Sequence, residues 1–335
     1  MFPSRLRGAL VAGVLAACAV AVSAAPEQKF SLAVLRRDGV MIPFASFDGK
    51  GWTVPWPGSA TGVPLPISLT DIPKAWWGPI SPTAAWTAWL PDEVKKPVKP
   101  VKPAHVSIFC GAHLAVATDY RGEPSTERAP TVAKDGIVSA GDVTIQPITQ
   151  VSIHAPDAAR LIATITEKFN EEETTAALGF TRWWHPYGPD TRAATPIELE
   201  AFYRVNDTTG RTSFRTSYIE AVRRYKAGYG DEGCGPLTFV RGWITEFSDS
   251  RKPIINIGAR ITYCDRAEVS FMQPFGRVQL EPPDGRGRAP GAASFWIYQL
   301  SSWRDEFYNV ALVTADGVKP VVAVAGGGCP KEPAR

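Results

Sequence analysis

"IELEAFYRVNDTTGRTSFRTSYIEAVRRYK", residues 197 to 226, decides the fold. Two runs rich in β-branched and aromatic residues flank the turn "NDTTG" at 206–210. In the second run Phe214, Tyr218 and Val222 are set on one side, with Thr216 and Glu220 between them. Polar residues at alternate positions predict a half-buried antiparallel strand. The pattern continues downstream in "LTFVRGWITEF", "IINIGARITYC", "EVSFMQPFGRVQL", "SFWIYQL", "EFYNVALVT" and "KPVVAVAGGGC". Turn-forming stretches such as "SDSRKP" and "EPPDGRGRAPG" separate these runs.

Upstream, only one segment reads as a helix. Leu161, Ile165 and Phe169 recur at four-residue intervals within Pro156 to Thr175. Glu171 to Glu173 follow them and oppose the helix dipole, which predicts a frayed last turn. The N-terminal part returns to strands. In "FSLAVLRRDGVMIPFASFDGKGWTVPW", residues 30–56, Asp-Gly pairs at 38–39 and 48–49 fit tight hairpin turns. Asp135-Gly136 and Asp316-Gly317 read as turns on the same grounds. The fold class is mainly β: antiparallel sheets, sandwich or barrel-like, with one or few helices, and an α+β arrangement as the alternative. The 29 glycines and 30 prolines in 335 residues favour turns and extended backbone over long helices.

The organisation divides into a leader at 1–24, a Trp-rich β-meander region at 25–90, residues 91–105, and a main β domain at 106–335. In "PDEVKKPVKPVKPAH" (91–105) Lys-Pro-Val repeats every three residues, and Pro97, Pro100 and Pro103 forbid a helix. That stretch reads as a linker or a stiff loop.

The leader has the order of a secretory signal peptide. Arg5 and Arg7 precede an apolar run from Ala9 to Val22, and small residues follow at Ser23 to Ala25. Cleavage after Ala24 is preferred, because the next bond has Pro26 on its far side. "LAAC", ending at Cys18, offers a lipoprotein anchor as the alternative. The expected location is periplasmic or extracellular, with no transmembrane span in the mature chain. Cys110, Cys234, Cys264 and Cys329 remain as an even set, and pairing Cys234 with Cys264 across a hairpin leaves Cys110 for Cys329. Cys110 and His113 alone do not make a metal site, and no metal or cofactor is expected.

Charge excludes one partner class. Of the formal net charge of +3, two units sit in the leader, and no basic block stands out, so nucleic acid is not expected. The 11 tryptophans are the unusual count, six of them between 52 and 89. Trp52 and Trp56, four apart in a predicted strand, share a face and belong to the core. Adjacent pairs in a strand send one ring each way, so Trp76-Trp77 and Trp183-Trp184 each predict one exposed ring. In "TRWWHPYGPD" (181–190), Trp183, Trp184, His185 and Tyr187 form the leading candidate binding group. Among the four histidines, His105 reads as solvated and His113 and His154 as structural, which leaves His185 for chemistry. "RDE", Arg304 to Glu306, reads as a solvated turn.

No nucleophile elbow, zinc helix, phosphate-binding loop or dinucleotide fingerprint occurs, and no catalytic residues can be named. The functional expectation is an exported bacterial β-rich module, non-catalytic, that binds polysaccharide or another envelope protein. The alternative is an exported hydrolase, for example of glycans, with carboxylates or His185 in an aromatic-lined cleft.

Overall fold

A computed structural model describes residues 28–58, 64–123, 132–179, 188–209, 212–226, 235–264, 266, 269–280 and 293–329. The leader, its cleavage point and Cys18 lie outside the described residues. The strands, in chain order, form three antiparallel sheets. The first sheet holds β1 (Phe30–Arg36), β2 (Val40–Phe47), β3 (Trp52–Thr53), β4 (Trp86–Trp89), β5 (Lys95–Val98), β6 (Pro100–Ile108), β7 (Gly111–Thr118) and β8 (Lys134–Gly141). The second holds β9 (Thr149–Gln150), β10 (Ile197–Thr209), β11 (Thr212–Arg224), β12 (Pro236–Phe247) and β13 (Ile254–Tyr263). The third holds β14 (Phe271–Leu280), β15 (Ala293–Ser301), β16 (Asp305–Thr314) and β17 (Gly317–Gly328). Helices α1 (Pro156–Leu178) and α2 (Pro189–Ala194) lie between β9 and β10 in sequence. The mainly β expectation holds.

The layers stack in a fixed order. Phe30, Leu32 and Val34 of β1 pack with Phe295 and Ile297 of β15, joining the first sheet to the third. Trp296 and Tyr298, the alternate residues of β15, pack with Tyr218 and Val205 of the second sheet. Leu161, Ile165 and Phe169 of α1 cover the far face of the second sheet, against Phe202, Ile219 and Val240. The third sheet is therefore a central layer, and "SFWIYQL" is apolar without alternation because both its faces are covered. The same holds for β11. Thr216, Ser217 and Glu220 are buried along with Tyr218 and Ile219, so the strand is not half-buried but covered on both sides.

The first sheet curls into a half-barrel. Its strand order is β5-β4-β8-β1-β2-β7-β6, so two consecutive strands, β5 and β6, form its opposite edges. Lys99 alone joins them, so the edges meet there. Its N–H donates to the Asp119 carboxylate at 2.8 Å, and its carbonyl accepts from the Asp119 N–H at 3.1 Å. The Lys-Pro-Val stretch is thus no linker. Its extended backbone was legible, and its prolines sit on edge strands, where a missing N–H costs no ladder bond.

Local expectations fared unevenly. Gly39, at φ +84°, makes the β1–β2 turn as Asp-Gly predicts. Asp135-Gly136 lies inside β8 instead, where a Cβ on Gly136 would fall 2.3 Å from the Trp89 carbonyl oxygen. Asn206 to Thr209 belong to β10, so the hairpin turns later than "NDTTG" implied. The end of α1 does not stop at its acids. Glu173 is buried, and its carboxylate takes the Arg223 guanidinium and, at 2.6 Å, the Tyr225 hydroxyl. Trp52 and Trp56 part company because β3 ends at Thr53. Trp52 packs on Phe295, and Trp56 packs on Trp77 inside the half-barrel. No helix among the described residues is long and apolar enough to cross a membrane.

Candidate functional site

The second sheet overhangs the third, and the overhang forms an open groove of about 760 Å³. Its floor is the β12–β13 hairpin. Phe239, Arg241 and Trp243 alternate along β12 on the face away from α1. Their cross-strand partners on β13 are Arg260, Gly258 and Asn256 respectively. Opposite Arg241 the floor therefore carries no side chain, and a Cβ on Gly258 would meet nothing within 4 Å. This bare position gives the groove its depth.

The wall is the turn between β15 and β16. Ser302 N–H donates to the Asp305 carbonyl at 2.8 Å, and the Ser302 hydroxyl donates to the Asp305 carboxylate. Arg304 and Phe307 flank this turn along the groove, and Trp303, 70% exposed, stands at its tip. Cys329 N–H donates to the Arg304 carbonyl at 2.9 Å. Cys329 is itself bonded to Cys110, which closes the expected pair and ties the wall to the β6–β7 turn.

Electrostatically the groove favours anions. Among the described residues its lining holds the guanidinium groups of Arg241, Arg260 and Arg304 and the carboxylate of Asp305, and Arg260 already has a partner. Arg241 Nη1 donates to the Ser270 carbonyl at 3.1 Å, which aims the side chain without neutralising it. The nearby Glu220 is already engaged by the Arg266 guanidinium and the Met272 N–H. Burial nonetheless holds the Glu220 carboxyl above the usual range, against the pull of Arg266 and Arg241. Burial also pushes Tyr298 up to about 12, with Arg241 opposing it.

The residues singled out from sequence lie elsewhere. Trp183, Trp184, His185 and Tyr187 lie outside the described residues. Trp76 and Trp77 sit on a 3₁₀ turn, not a strand. Trp77 is buried against Trp56 and Trp86, while Trp76 is half-buried, so the pair lines the half-barrel interior around a cavity of about 10 Å³, and neither ring lines the groove. The indole N–H groups divide too. Trp56 donates to the Leu114 carbonyl at 2.9 Å, whereas the buried N–H groups of Trp77, Trp86 and Trp296 have no partner among the described residues. Cys264 is disulfide-bonded, and Cys234, the partner expected for it, lies outside the described residues. His105 is exposed on β6, His113 is buried on β7, and His154 is exposed in a turn before α1. Among the described residues no three His, Cys, Asp or Glu side chains are placed to hold a metal.

"RDE" is not one solvated turn. Arg304 and Asp305 line the groove, but Glu306 is fully buried and bonds Lys134 at 2.6 Å. Sequence reasoning passed over Arg241, Gly258 and Trp303. The available signal was "RGW" at 241–243, a cation and an indole two apart on one strand face, beside a turn holding a second Trp-Arg pair.

No family model, curated protein or solved structure matches the chain.

Proposed function

We propose that this chain is an exported, non-catalytic binding module of a bacterial envelope, and that the groove between its second and third sheets takes an acidic polysaccharide. The observation that carries the reading is the pair of guanidinium groups of Arg241 and Arg304 along an open groove edged by exposed Phe307, beside a turn that carries exposed Trp303. Guanidinium groups bind carboxylate and sulfate in planar, paired fashion, and exposed aromatic faces stack on sugar rings. An open groove suits a polymer, which enters sideways, better than a small molecule.

A hydrolase reading has less support. Glycoside hydrolysis needs two carboxylates across the scissile bond. Among the described residues the groove lining supplies one, and that one accepts the Ser302 hydroxyl. The buried acids among the described residues, Glu173, Asp207, Glu220 and Glu306, are each engaged by a cation.

Titrating the mature chain with polygalacturonate and with dextran sulfate tests the proposal. Binding that weakens with salt is expected. Arg304→Ala and the groove-filling Gly258→Ile should each weaken it about tenfold or more. Both should melt within about 0.5 kcal/mol of the parent, since neither touches the core. The reading fails if neither polymer binds, or if both variants bind like the parent.

A further inference from the structure

A second cavity, of about 810 Å³, opens where all three sheets meet. Each sheet contributes one half-buried aromatic ring to it: Trp89 from β4, Tyr203 from β10 and Phe275 from β14. Phe275 is delivered by a bulge. Pro274 pairs with Tyr298 and Gly276 with Ile297, so Phe275 is the extra residue with no partner across the ladder. Bulges of this kind re-aim a side chain and gather near functional sites.

The rings are held in place before any ligand arrives. The Trp89 N–H donates to the Ser139 hydroxyl at 2.7 Å, and the Lys95 ammonium lies 4.5 Å from the ring centre. Gln150 faces Tyr203 directly across the β9–β10 ladder, so an amide sits beside a phenol ring. Gln146 and Gln273 add two more amides to the lining, and Gln273 Nε2 donates to the Lys134 carbonyl at 3.1 Å. Among its described lining residues, Asp135 is bonded by Arg37 at 2.8 Å and by the Tyr120 hydroxyl at 2.9 Å, and Glu93 and Lys95 bring one charge of each sign.

We propose that this cleft is a separate binding site for an uncharged oligosaccharide segment. Sugar C–H faces pack on aromatic rings, and sugar hydroxyls exchange hydrogen bonds with amides, each of which both donates and accepts. A cavity of this size lies within the range of ligand sites, and its mixed polar and aromatic lining matches a sugar better than a hydrocarbon. This lining contrasts with the groove, where Arg241 and Arg304 stand together. The inference stands apart from the acidic-polymer reading, because the two sites share no lining residue among the described ones.

Calorimetric titration with cellohexaose, chitohexaose and maltohexaose tests it, with tryptophan fluorescence followed in parallel. At least one hexasaccharide should bind with little dependence on salt. Phe275→Ala and Gln150→Ala should each weaken it about tenfold or more. Gln150 is exposed, so its variant keeps the test meaningful if Phe275→Ala fails to fold. Gly258→Ile should leave this binding unchanged. Silence from all three sugars overturns the proposal. So does binding that survives both cleft variants, or binding that Gly258→Ile abolishes.

Discussion

Three consecutive residues serve two regions with opposite demands. Arg304 and Asp305 line an open groove, and Glu306 enters the seam between the first and third sheets. In the seam every charge is answered. Glu306 bonds Lys134 at 2.6 Å and accepts the Tyr308 hydroxyl, and all three side chains are buried. In the groove, among the described residues, Arg241 reaches only the Ser270 carbonyl, and Arg304 stands beside it. The seam has spent its charges on itself, whereas the groove keeps Arg241 and Arg304 to offer a partner. The difference is one of position: alternation along β16 turns Glu306 and Tyr308 toward the first sheet, while the preceding turn projects outward.

Breaking the seam should produce the largest effect. Lys134→Ala leaves the buried Glu306 carboxyl without its cation, which costs about 3–5 kcal/mol in chemical denaturation. Burial already pulls the Lys134 ammonium below its usual range, with Glu306 holding it up. Replacing both partners, Lys134→Met with Glu306→Leu, should recover part of that loss. A single variant as stable as the parent would show that the seam is not a paired charge system. Next in size is the covalent tie between the two regions. Cys110→Ser with Cys329→Ser frees a bridge spanning 219 residues of sequence and should cost about 2–5 kcal/mol. The same variant should weaken binding in the groove, because Cys329 anchors the Arg304 carbonyl. Unchanged polygalacturonate affinity in the folded double variant would detach the groove from the disulfide.

The sequence revealed these regions to different degrees, for physical reasons. Strand periodicity and turn chemistry are local, so β10 to β17 and α1 were legible almost in full. The Cys110–Cys329 pair followed by elimination, once Cys234 was set against Cys264 across a predicted hairpin. Layer order was not legible, because it depends on which face of "SFWIYQL" meets which sheet, and both faces are apolar. The curl of the first sheet escaped for a similar reason. Extended backbone with prolines looks the same in a linker and on an edge strand, and only the pairing of β5 with β4 and β6 with β7 distinguishes them. Tryptophan density marked the packed half-barrel interior, since indoles serve cores as readily as surfaces. The groove left a faint trace, because Arg241 and Arg304 lie 63 positions apart and meet only through sheet packing.

The smallest expected effect concerns the edge of the seam, where His113 on β7 is buried. Burial lowers its basicity below the usual 6.5, although the Glu306 charge and a hydrogen bond to the Gly58 backbone pull the other way. The folded chain therefore holds this imidazole neutral at a pH where the unfolded chain has begun to take up a proton. Below about 6.5 the unfolded state binds more protons at this position, so stability present above that pH declines as acid is added. The decline continues until the folded-state value is passed. Melting temperatures should fall between about pH 7 and pH 5, and His113→Gln, which keeps an N–H for the Gly58 carbonyl, should flatten that fall. The groove, whose lining does not include His113, should keep its polymer affinity wherever the chain remains folded. An identical pH slope in the variant would mean that the seam's pH response comes from another group, and would weaken the division between a self-satisfied seam and a receptive groove.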